Sequence, residues 1–96
     1  MREEQLKELK KAIVAVLKKH EVKKAALFGS FARGEATEES DIDLLVEFEG
    51  RKSLLDLAGL QVGLRDTVKR QVDVLTYNSL HPRLKNRILR EQVMLL

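Results

Sequence analysis

The sequence predicts an α/β (α+β) domain in which one small mixed sheet has helices packed against it. Three observations carry that reading. Leu6, Leu9, Ile13, Val16 and Leu17 recur at helical spacing. Three short apolar runs, 24–28, 41–48 and 71–77, have the length of strands. Glycine, serine and proline fall at the junctions between these segments. With 96 residues, the chain is read as a single domain, residues 1–96, long enough for one core and too short for two.

Taken in order, residues 2–19 form an amphipathic helix. Acidic residues come early in it and lysines mostly late, as the helix dipole favours. Lys24 to Phe28 is a short apolar strand that Gly29 breaks, and Ser30 to Arg33 has room for one brief helical turn. Glu35 to Ser40 is a polar loop. Asp41 to Phe48 then reads as a buried strand that leaves through Glu49-Gly50-Arg51. Ser53 is placed to cap a helix through Leu54, Leu57, Ala58, Leu64 and Val68, although Gly59 and Gly63 lower its propensity. Gln71 to Tyr77 is a third strand, and Ser79 with Pro82 opens a last helix ending near Met94. The expected order is αβ(α)βαβα.

Composition narrows the chemistry. Cysteine is absent, which removes disulfides, thiolate metal sites and a cysteine nucleophile. No apolar run approaches the roughly 18 residues that span a membrane, and the charged N-terminus is not a signal peptide, so the expected address is the cytoplasm. A net charge of +3 is compatible with a polyanionic partner without demanding one, and direct nucleic-acid binding is not the favoured reading.

Asp41 and Asp43 are the most informative pair. Side chains alternate along a strand, so both project to one face while Ile42 and Leu44 face the other way. Two ionised carboxylates so close repel each other. Mg²⁺, a hard cation that takes carboxylate, phosphate and water oxygens, removes that conflict. Nucleotidyl transfer commonly uses two such ions about 3.5–4 Å apart. Asp73 stands alone among apolar neighbours in Val72-Asp73-Val74-Leu75, where an unpaired carboxylate is costly. It is read as a third metal ligand or general base, or else as the partner of an arginine. Gly29 permits a tight turn, and Ser30 offers a hydroxyl and amides to a phosphate. Arg33 can reach a triphosphate or pair with a loop glutamate.

Gly29-Ser30-Phe31-Ala32-Arg33-Gly34, followed by Ser40-Asp41-Ile42-Asp43-Leu44-Leu45-Val46, resembles the signature of the polymerase-beta nucleotidyltransferase superfamily. Within it the chain is most similar to the small stand-alone branch called minimal nucleotidyltransferases. The resemblance extends over most of the chain, to Val72-Asp73-Val74 and Ile88-Leu89-Arg90-Glu91. It implies a polymerase-beta-like fold, Mg²⁺ on Asp41, Asp43 and Asp73, and ATP held by Gly29, Ser30 and Arg33. It further implies an antitoxin that transfers AMP from ATP to a tyrosine of an all-helical HEPN toxin, its partner. Phe31 departs from the pattern, since relatives often carry arginine there, so any triphosphate contact by that side chain is missing.

Two other readings compete. One is a non-catalytic module that neutralises its partner by complex formation; degenerate relatives usually lose a carboxylate, and all three are present here. The other is nucleotidyl transfer to RNA or a small molecule, which in relatives usually needs an extra acceptor domain. Arg83, Arg87 and Arg90 read as a solvated stripe on the last helix, and His20 and His81 as residues at element ends.

Overall fold

Alternating apolar residues can be buried only against another layer, and the chain resolves this with helices on one face of a sheet. A computed structural model describes all residues, 1–96. Helix α1 spans Glu3–Lys19, with Glu3 and Glu4 in its first turn and Lys18 and Lys19 in its last. Strands β1 (Val22–Phe28) and β2 (Ile42–Phe48) follow. Helix α2 (Leu54–Val68) then leads to strand β3 (Val72–Thr76) and a short 3-10 turn at Tyr77–Ser79. Helix α3 (Pro82–Glu91) and a two-residue strand β4 (Val93–Met94) complete the chain.

The strand order is β3-β2-β1-β4. β1 lies antiparallel to both β2 and β4, whereas β2 and β3 are parallel. Parallel neighbours need a long crossover, and α2 supplies it. The core lies on one face of the sheet. Ile13 and Leu17 of α1 and Leu60 and Leu64 of α2 meet Ala25, Leu27, Ile42, Leu44, Val46, Val72 and Val74 there. Ala26 and Leu45 are fully buried yet outside that cluster; alternation puts them on the opposite face. Lys24, also on that face, stacks over the Tyr77 ring, and the Tyr77 hydroxyl donates to Gln92 Oε1 at 2.9 Å.

Most element expectations hold, and the departures have local causes. Gly29 and Gly34, with φ of 69° and 73°, bracket the brief helical turn expected at Ser30 to Arg33, which amounts to one i→i−4 bond, from the Arg33 amide to the Gly29 carbonyl, within a run of turns. Asp41 stands just outside β2 rather than within it. Ser53 caps α2 as expected, its hydroxyl accepting from the Asp56 amide. The last helix does not reach Met94: Gln92 turns extended, and Val93–Met94 pair with Leu27 and Ala26 along the free edge of β1. Its cap is His81, whose Nδ1 accepts from the Arg83 amide at 3.1 Å, while Ser79 donates to the Thr76 carbonyl.

Leu44 is fully buried at the centre of the core. Leu44→Ala is expected to cost about 2–5 kcal/mol, read from urea unfolding midpoints at constant slope.

Candidate active site

Register decides what meets at the end of the sheet. Asp43 of β2 stands opposite Asp73 of parallel β3 and, on its other side, opposite Phe28 of antiparallel β1. Because Ile42, Leu44, Val72 and Val74 face the core, Asp43 and Asp73 face the other way. Asp41, two residues upstream, shares that face and is exposed. The carboxylates therefore gather where β1 ends and β2 and β3 begin, on the face free of α1 and α2.

Gly29 follows directly on β1. Its backbone is left-handed, and a Cβ there would collide with the Asp43 carboxylate. Glycine is thus required twice, for its φ and for the close approach. Beyond it, the Arg33 amide donates to the Gly29 carbonyl at 3.1 Å and the Glu35 amide to the Ser30 carbonyl at 2.9 Å. The amides of Ser30, Phe31 and Ala32 are absent from the chain's backbone hydrogen bonds. Consecutive unengaged amides beside a carboxylate cluster form a concavity suited to phosphate oxygens.

Electrostatics match this placement. Asp43 is pushed above its ordinary pKa of 3.8, first by burial and then by the neighbouring Asp73 and Asp41 carboxylates, against the pull of Arg33. Asp73 takes part in no ion pair; its Oδ1 accepts from Gln71 Nε2 at 3.4 Å. Arg33 is engaged by glutamates, at 3.2 Å from Glu35 and 3.8 Å from Glu91. Glu91 also pairs with Arg87, and Arg90 Nε donates to the Asn86 carbonyl at 3.3 Å, so two members of the basic stripe have partners within the chain.

An all-oxygen, anionic set whose members repel one another has the donor chemistry of a hard divalent cation. The side chains as they stand do not close around such an ion, because no three acidic or histidine groups converge to ligand spacing. The larger surface hollows run along α1 and contain none of these carboxylates.

Residues that sequence reasoning missed brace the site. The Arg70 guanidinium donates to the Thr37 carbonyl at 3.3 Å and the Ser40 carbonyl at 3.2 Å, and lies over the Phe31 ring. It thereby ties the start of β3 to both the glycine-serine turn and the approach to Asp41. No local signal announces a contact across 30 residues. Gln71 was legible in principle, because it lies two residues before Asp73 and so on the same strand face.

Comparison with known proteins follows the same lines. A family model described as a nucleotidyltransferase domain matches residues 6–95. An inferred protein adenylyltransferase of Methanocaldococcus jannaschii is 56% identical over 88 residues, which cover 92% of this chain and 95% of that relative. A solved structure assigned provisionally as a minimal nucleotidyltransferase superposes with a TM-score of 0.81 at 40% identity, covering 97% of this chain and 95% of that one. The MNT antitoxin in complex with a tri-AMPylated Shewanella oneidensis HEPN toxin superposes with a TM-score of 0.74 at 18% identity, covering 94% and 71%. At that identity the likeness concerns the fold.

Gly29→Ala is expected to destabilise the chain by at least about 1–2 kcal/mol, from left-handed strain and the clash with Asp43, as read by thermal melts. A second expectation concerns pH. The folded chain holds the Asp43 proton more tightly than the unfolded chain, so this group's stabilisation is complete below 3.8 and fades as pH rises through the raised value. Asp43→Asn should therefore melt higher than the parent at neutral pH in chelator, with the gap closing on acidification.

Proposed function

The chain belongs to the nucleotidyltransferase domain family, in its minimal nucleotidyltransferase branch, and we propose that this nucleotidyltransferase is a Mg²⁺-dependent protein adenylyltransferase acting as an antitoxin. It transfers AMP from ATP to a tyrosine hydroxyl of a HEPN toxin. The observation that carries this reading is the apposition of Asp41, Asp43 and Asp73 to Gly29, which sets three carboxylates beside a turn of unengaged amides. The adenylyltransferase name of the M. jannaschii relative and the AMPylated toxin bound to the Shewanella antitoxin support the choice of nucleotide and acceptor.

The roles follow from position. The amides of Ser30 to Ala32 and the Ser30 hydroxyl hold the triphosphate. Arg33 leaves its glutamate partners to reach a phosphate oxygen with its planar fork. Asp41, Asp43 and Asp73 would hold Mg²⁺, which when bound would neutralise the charge developing on the phosphates and make the acceptor hydroxyl more acidic. Asp73 takes the tyrosine proton. The phenolic oxygen forms a bond to the α-phosphorus as the bond from that phosphorus to the β-bridging oxygen breaks, and pyrophosphate departs. Catalysis is mainly positioning and electrostatic stabilisation. No helix is long and apolar enough to cross a membrane, and a cytoplasmic address accords with use of ATP.

Incubating the protein with α-labelled ATP, Mg²⁺ and its cognate toxin should label the toxin. Asp41→Asn, Asp43→Asn or Asp73→Asn should each lower the rate by about 100-fold or more. No label with all components present would overturn the reading. Full neutralisation of the toxin by Asp43→Asn would instead favour a module that works by complex formation.

A further inference from the structure

α2 is apolar on both sides. Its inner side places Leu60 and Leu64 in the core. Its outer side carries Leu54, 84% exposed, Leu55, 83% exposed, and Val62, 55% exposed, with exposed Ala58 and Gly59 between them. Asp56 is turned back onto Ser53 to cap the helix. A helix with one side in a core ordinarily presents charge on the other. α1 does so, with Ile13 and Leu17 in the core and glutamates and lysines outside.

Gly59 sharpens the anomaly. Glycine within a helix weakens it relative to alanine, and a Cβ at Gly59 would meet nothing within 4 Å. Nothing inside the fold requires glycine there. Gly63 is different, because its Cβ would press on His20. Gly59 leaves bare backbone at the middle of the apolar face, where another helix can approach closely.

We propose that a second copy of this chain docks there, the two α2 helices crossing antiparallel about a two-fold axis near Ala58 and Gly59. In a two-fold interface each contact occurs twice with the partners exchanged. Centred at that point, Ala58 faces Gly59 of the second copy and Leu55 faces Val62. Arg51, in the extended segment just ahead of the helix, lies toward the end of α2 at which Asp66 of the second copy arrives. Arg51 and Asp66 are both exposed and take part in no ion pair within the chain. Arg51 and Asp66 therefore attract each other across the crossing only in the antiparallel sense, since a parallel crossing would bring Arg51 to Arg51. α2 packs on the face of the sheet away from the carboxylates, so this dimer leaves both active sites open.

Sedimentation velocity of the full chain over a concentration series should show a species of twice the 11.0 kDa chain mass. Leu55→Glu and Gly59→Leu should yield monomers with unchanged circular dichroism, since neither side chain has a partner inside the fold. Arg51→Asp and Asp66→Arg should each weaken the dimer by on the order of tenfold, and the double exchange should restore it. A monomer at every concentration would overturn the proposal, and so would a dimer indifferent to Leu55→Glu and Gly59→Leu. Single exchanges that weaken the dimer without rescue in the double would overturn the antiparallel pairing. A complex in which the toxin alone covers this face would exclude the second copy as its occupant.

Discussion

Like charges held side by side on neighbouring strands are the constraint around which this chain is organised. Asp43 and Asp73 face each other across a parallel register, with Asp41 close enough to raise the Asp43 pKa further. Such a cluster opposes folding, because unfolding would let its members separate. It persists because the other face of the same strands is packed with apolar residues from both helices. Moving either strand by one residue would bring its aspartate into the core and its apolar residues into water. The register that serves the core therefore enforces the repulsion at the site.

The glycine-serine turn depends on the same arrangement. Asp43 can occupy its position only because Gly29 carries no side chain, and Gly29 stands there because Phe28 pairs with Asp43. Turn and carboxylate are thus fitted to one another through the antiparallel β1–β2 register, while Asp73 is fitted through the parallel one. Arg70 adds a brace that spans both, from the loop before Asp41 to the ring of Phe31.

The sequence made much of this legible, for physical reasons. Periodicity of Leu6, Leu9, Ile13 and Leu17 located α1, and the cap at Ser53 located α2 within a residue. The aspartates were legible because charge inside an apolar strand has few explanations. What stayed hidden depended on distant contacts. Val93 and Met94 have no strand signal of their own and become β4 only because β1 offers an edge. The loop glutamate beside Arg33 was foreseeable, but Glu91, 58 residues farther along, was not. Arg70 likewise acts on residues about thirty positions earlier, and local pattern carries no trace of that.

Pairing of residues 93 and 94 with β1 also bears on how the chain is made. β1 leads directly into the glycine-serine turn, yet one of its edges is covered by residues synthesised only after α2, β3 and α3. During translation that edge emerges early and waits bare while α2, β3 and α3 follow. An exposed strand edge is a template for pairing with other chains. The nascent protein is thus most vulnerable to misassociation just before residues 93 and 94 arrive, and the same late pairing that adds β4 to the sheet ends that exposure.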